Sequence, residues 1–164
     1  MKDEFPENSN VKLIGEPGRF ICQVAQNVVV KVILARQMEE CRHYFVNSGV
    51  YQAFGTQIFE SDVEFLKGQP LLSKDEFNER IKKSQTSYIW GQTCDGVDWL
   101  SKNSSYPLVE EGEWLIYRHF GAYGKAVACT FNGFPEPDNF YINWAYYLDF
   151  IYLTLLNYTP LSKM

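Results

Sequence analysis

The densest apolar run, "NVVVKVILAR" (Asn27–Arg36), carries β-branched residues at most positions and predicts a buried strand. Upstream, "VKLI" (Val11–Ile14) has the same character over a shorter stretch. "GEPGR" (Gly15–Arg19) ends it, because two glycines and a proline in so few positions fix a tight loop. "FICQVAQ" (Phe20–Gln26) suits a turn or two of helix. "HYFVNSGVYQAF" (His43–Phe54) reads as strand, turn at Asn47–Gly49, strand. Residues 60–86 are polar and charged, the pattern of a surface loop with a short helical piece. "SYIW", "EWLIYRHF" and "KAVACTF" then follow as short strand-like segments between Gly, Pro and Asn. Short strands with turn residues between them predict an α+β fold, mainly a β-sheet or barrel domain with short helices.

The tail Phe140–Tyr158, "FYINWAYYLDFIYLTLLNY", is long and apolar enough to nearly span a bilayer. Asn143, Asp149 and Asn157 interrupt it, and no basic residue flanks its front edge. A strand followed by a helix packed on the core is the better expectation, with no membrane partner. Internal repeats and linkers are not visible, so the chain reads as one unit.

Composition narrows the function classes. The chain has 164 residues, enough for one domain with a genuine core. Its 46% hydrophobic and 16% aromatic content excludes disorder. A net charge of −5 without a Lys/Arg cluster argues against nucleic acid, which demands a positive face. The amino terminus, "MKDEFPENSN", lacks the apolar stretch of a secretory signal. Cys22, Cys41, Cys94 and Cys129 include no C-x-x-C pair. Zinc or dithiol chemistry therefore lacks its spacing, and a reduced, cytoplasmic setting fits.

Candidate chemistry lies in five pieces: Gly15–Arg19, the 43–54 stretch, "TCDG" (Thr93–Gly96), "GAY" (Gly121–Tyr123) and "TFNGF" (Thr130–Phe134). Each is weak alone, and a lone cysteine is most often a small core hydrophobe. Together, "GEPGR", "YFVNSGVYQAF", "TCDGVD" and "EGEWLIYRHFGAYGKAVACTFNGF" resemble, in this order, the carboxyl-terminal part of the eukaryotic ornithine decarboxylases. These belong with the arginine and diaminopimelate decarboxylases among pyridoxal-phosphate enzymes. The similarity runs from about Phe5 to about Asn143.

What the resemblance implies is the last strand and loop of an α/β barrel over residues 1–26, then a C-terminal β domain with a terminal helix over 27–164. It implies pyridoxal 5′-phosphate as cofactor, which draws electrons from the carbanion left by decarboxylation. By position, Glu16 matches the carboxylate beside the pyridine nitrogen. Pro17, Gly18, Arg19 and Tyr123 fall on the phosphate-binding loop and its tyrosine. Cys94 matches the proton donor; a thiol with a reference pKa of about 8.5 is mostly protonated near neutrality. Asp95 matches the carboxylate that holds the substrate's distal ammonium.

Two departures qualify the picture. Where the family usually has Tyr-Asp-His, this chain has Phe59-Glu60-Ser61. Phe59 lacks a hydroxyl and Glu60 is a methylene longer, so ornithine is in question while a basic amino acid is not. The family's cofactor-linking lysine, ring-stacking histidine and glycine-rich loop lie in the barrel, and none of the ten lysines here matches that context. The expectation is the C-terminal half of a decarboxylase of polyamine synthesis, inactive alone and completed by a barrel-bearing chain, in an oligomer. The alternative is a non-catalytic, regulator-binding relative.

Overall fold

The computed structural model describes residues 12, 14–55 and 68–142. A four-residue helix, α1 (Arg19–Cys22), runs into a 3-10 turn over Gln23–Ala25, the helical segment expected of "FICQVAQ". Six strands follow: β1 (Val28–Met38), β2 (Cys41–Val46), β3 (Gln69–Pro70), β4 (Gln85–Trp90), β5 (Trp99–Tyr106) and β6 (Trp114–Tyr117). A second helix, α2 (Lys74–Ile81), precedes β4.

The strands form one sheet in the order β3-β6-β1-β2-β4-β5. β1 is its spine. Val28, Val30 and Val32 alternate into the core while Val29 and Ile33 face outward, the period of two that a pleated strand imposes. A bulge between Val32 and Leu34, where β1 pairs with Val46 and Phe45 of β2, then shifts the register. All pairs are antiparallel except β2 with β4, which run parallel.

Aromatic residues contribute to the core. Phe54 meets Tyr117 and Phe120 edge-on, with ring centroids 4.8 and 5.0 Å away. The buried Tyr44 hydroxyl donates to the Pro107 carbonyl and accepts from the Val109 amide, so the polar end of that ring is not stranded. Burial alone pushes the Tyr117 phenol far above its usual range. α2 begins with a capping box between Ser73 and Glu76. Arg80 ties the helix to the sheet through Glu113 at 2.6 Å and the Leu108 carbonyl at 3.3 Å.

Three expectations need correction. The second arm of the 43–54 stretch is not a strand: the Gly49 carbonyl accepts from the amides of Gln52, Ala53 and Phe54, winding the chain into a turn. "KAVACTF" is turn over its first three residues, irregular over the next three and ends at a 3-10 helix, rather than a strand. Residues 99–106, polar and unmarked by the hydrophobic pattern, form edge strand β5. The Phe140–Tyr158 segment lies outside the described residues beyond Ile142, and no helix among the described residues is long and apolar enough to cross a membrane.

Topology gathers the candidate chemistry. Val28 at the start of β1 pairs with Tyr117 at the end of β6, and Val32 pairs with Val46 at the end of β2. The parallel pairing sets Phe45 beside Trp90, so β2 and β4 end together. The segment before β1, the turn after β2, the loop after β4 and the chain after β6 therefore all emerge at one end of the sheet. Ligand sites often sit where such connections converge.

Candidate functional site

The loop Gly91–Asp98 joins β4 to β5 and is closed by the Trp90–Trp99 pair. Its last residue, Asp98, is buried at 1% exposure. One carboxylate oxygen accepts from the Val50 amide at 2.9 Å. The other accepts from the Thr93 amide at 2.9 Å and the Thr93 hydroxyl at 2.7 Å. Gly49 and Gly91 make this approach possible, because a Cβ on either would sit 2.0 Å from an Asp98 oxygen. The loop after β4 and the turn after β2 thus share one buried acceptor.

Cys94 and Asp95 ride on this clamped loop. The Tyr51 hydroxyl donates to Asp95 Oδ2 in a short hydrogen bond, and the Val97 amide donates to Oδ1 at 3.0 Å. The first contact, then the second, holds the Asp95 carboxyl below the usual range. The same bond pushes the Tyr51 phenol up to about 12, since ionising it would set two anions side by side. Tyr51 also packs its ring on Phe131 at 4.3 Å, while its carbonyl accepts from the Cys129 amide. The Cys94 thiol is exposed, and the Asn132 side-chain amide reaches its sulfur at 3.5 Å. Asn132 is held at φ 56°, a left-handed conformation that asparagine tolerates better than most residues.

A second cluster forms around the start of α1. Glu16, Pro17 and Gly18 are exposed. The Arg19 guanidinium lies over the Tyr123 ring, 5.2 Å from its centroid. A Cβ on Gly18 would come within 3.2 Å of the Tyr123 hydroxyl. The segment rests on the chain after β6: the Gln23 and Gln26 carbonyls accept from the amides of Gly121 and Phe120, at 2.9 and 2.7 Å. Gly121 is required there, since a Cβ would strike the Cys22 carbonyl oxygen at 1.9 Å. A guanidinium, a phenol and glycine backbone brought together are a donor set that suits a phosphate ester.

Of the residues singled out in the sequence, Gly18, Arg19 and Tyr123 come together, as do Cys94 and Asp95. One stretch, residues 120–133, supplies a member to each cluster: Tyr123 to the first and Asn132 to the second. Phe59 and Glu60 lie outside the described residues. Tyr51, Asp98, Phe131 and Asn132 lie within the family-like blocks, where the sequence alone assigns them no role. Their long-range contacts span from 38 residues of chain, Asn132 to Cys94, up to 80, Tyr51 to Phe131, and no local pattern reports such distances.

A family model described as "Pyridoxal-dependent decarboxylase, C-terminal sheet domain" matches residues 20–121. Ornithine decarboxylase of Cricetulus griseus is 34% identical over 149 residues, covering 84% of this chain and 31% of that protein. Antizyme inhibitor 2 of Xenopus laevis is 32% identical over 149 residues, with coverages of 84% and 31%. The crystal structure of the Paramecium bursaria Chlorella virus arginine decarboxylase superposes with a TM-score of 0.69 at 35% identity, covering 86% of this chain and 36% of that one. The chain spans about a third of the length of these relatives. It belongs to the pyridoxal-dependent decarboxylase family through that C-terminal sheet domain.

Proposed function

We propose that this member of the decarboxylase family is the C-terminal part of a pyridoxal-phosphate-dependent lyase acting on a basic amino acid. Ornithine, giving putrescine in cytoplasmic polyamine synthesis, is the first candidate. Residues 1–26 are read as the end of an α/β barrel and 27–164 as the β domain. The start of β1 at Val28 supports that division. The barrel is supplied by a partner chain or by the rest of a longer product, and the site works in an oligomer.

The observation that carries this reading is the adjacency of Cys94 and Asp95 on a loop fixed to the core. An acid and an ammonium acceptor must keep a constant spacing if a diamino acid is to bind and be protonated at the other end. Asp95, held ionised by Tyr51 and the Val97 amide, suits a distal ammonium. Cys94, exposed and touched by the Asn132 amide, would give its proton at the substrate's α-carbon. When bound, pyridoxal phosphate would supply the electron sink. Gly18, Arg19 and Tyr123 would hold its phosphate, with Pro17 shaping the loop and Glu16 meeting the ring nitrogen. Phe59 and Glu60 are assigned to the substrate side, where they tune chain length.

A second reading is kept because the antizyme inhibitor matches the chain over the same length as the ornithine decarboxylase. On that reading the chain belongs to a non-catalytic, regulator-binding protein. Complementation separates the two. With a family barrel supplied in trans, amine production is expected. Cys94→Ala should then lower turnover by roughly 10²–10⁴ and misplace the proton in the product, with cofactor affinity kept. Asp95→Ala should mainly raise KM. A complemented Cys94→Ala protein with unchanged turnover and product would remove Cys94 from the chemistry. Absence of turnover with every family barrel would favour the regulatory reading.

A further inference from the structure

We propose that Asp98 is the positioning residue of this site: one buried carboxylate holds the Gly49–Phe54 turn against the Gly91–Asp98 loop, and so sets Asp95 at the Tyr51 hydroxyl and presents the Cys94 thiol. The inference rests on the reading of Cys94 and Asp95 above and adds a residue that touches neither substrate nor cofactor.

The hydrogen bonds close a circuit. Asp98 accepts from Val50, whose neighbour Tyr51 donates to Asp95. Asp98 also accepts from Thr93, both backbone and hydroxyl, and that hydroxyl in turn accepts from the Asp95 amide at 3.4 Å. The Asp98 amide donates to the Asp95 carbonyl at 2.9 Å, and the Asp98 carbonyl accepts from Gly91 at 2.8 Å. Val50 borders Tyr51, Thr93 borders Cys94 and Asp95 is itself given a role above, while Gly91 opens the same loop.

The site is also cut to an aspartate. Gly49 and Gly91 bring two backbones so close that any Cβ would overlap the carboxylate, which leaves no room for the longer glutamate. Asparagine keeps the shape but turns one acceptor oxygen into an N–H donor facing other donors, Val50 on one side or Thr93 on the other. A buried donor without an acceptor is costly to leave in place. The strain would be relieved by parting the turn from the loop, and Tyr51 from Asp95 with it.

The test needs neither cofactor nor turnover. The full chain is labelled with ¹³Cζ-tyrosine, and the Tyr51 signal is assigned by its loss in Tyr51→Phe. Asp95→Asn gives the shift that marks loss of the carboxylate acceptor. Asp98→Asn, shown folded by circular dichroism, should shift the Tyr51 signal in the same direction. If it fails to fold, Thr93→Val, which keeps the backbone N–H and removes the hydroxyl, should give a smaller shift of the same sign. An unmoved Tyr51 signal in the folded variant overturns the proposal, as does a Tyr51 signal that ignores Asp95→Asn. In the complemented enzyme Asp98→Asn should lower kcat and raise KM together, whereas Cys94→Ala and Asp95→Ala each move one. A null spectrum counts against Asp98 alone, while unchanged chemistry in Cys94→Ala counts against the underlying reading.

Discussion

The loop that carries Cys94 and Asp95 and the segment that carries Glu16 and Arg19 lie at the same end of the sheet but are held in different ways. The first is bolted through a buried carboxylate to the turn after β2. The second has no buried residue in α1 and shows Phe20 and Ile21 to solvent, resting on the chain after β6 through main-chain bonds. The difference separates what this sheet domain finishes by itself from what it only prepares. The Gly91–Asp98 loop is fixed in geometry. The segment around α1 leaves its apolar side chains exposed.

Stability measurements can break this contrast. Leu115, fully buried, sits in the core on β6, whereas Phe20 is 90% exposed. Leu115→Ala is expected to cost about 2–5 kcal/mol in urea unfolding and Phe20→Ala less than about 0.5 kcal/mol. Equal costs would mean that α1 is part of the core after all.

Glycine substitutions sharpen it at intermediate size. Gly91→Ala drives a Cβ to 2.0 Å from the Asp98 carboxylate, whereas a Cβ on Gly15 meets nothing within 4 Å. We expect a loss of roughly 1–3 kcal/mol for the first and a change within about 0.5 kcal/mol for the second. A harmless Gly91→Ala would show that the loop is not clamped.

The smallest effect is electrostatic, and its sign is fixed by the Tyr51–Asp95 bond. Asp95 titrates lower when folded, so its contribution is present above its unfolded pKa of about 3.9 and is lost as pH falls through the folded value. Tyr51 is raised to about 12, so its contribution is present below about 10 and lost as pH climbs toward the folded value. The stability gap between the parent chain and Tyr51→Phe should be flat from about pH 4 to 10 and shrink at both ends. A gap that fails to shrink below about pH 4 and above about pH 10, measured by denaturation midpoints, would count against the bond.

Legibility in the sequence followed the reach of each interaction. β1 was plain because Val28, Val30 and Val32 alternate into the core within one continuous run. β5 was hidden because the single β4 residue Tyr88 faces two residues of β5, Lys102 and Asn103, between the Ser87–Ser104 and Ile89–Ser101 pairs. Asn103 takes φ 50° within that bulge, which breaks the period of two. The "VYQAF" arm looked like a strand because Val50, Ala53 and Phe54 are apolar. Those residues do reach the core, but from a turn that Gly49 winds. At the site, Arg19, Cys94, Asp95 and Tyr123 stood out by resemblance. Tyr51 and Asp98 did not, because their importance lies in whom they touch across 44 and 48 residues of chain.

The parallel pairing of β2 and β4 has a consequence for the order of assembly. Parallel neighbours cannot be joined by a tight turn, so the whole stretch from Asn47 to Ser84 must cross over before Arg42 can pair with Ser87. Closing so long a loop carries an entropic cost that hairpin β4–β5, local in sequence, avoids. The Val50–Asp98 bond cannot form until that crossover has closed. The spacing of Cys94 and Asp95 against Tyr51 is therefore a late acquisition of the folding chain, and mutations that slow the crossover should delay the site while leaving the β4–β5 hairpin quick to appear.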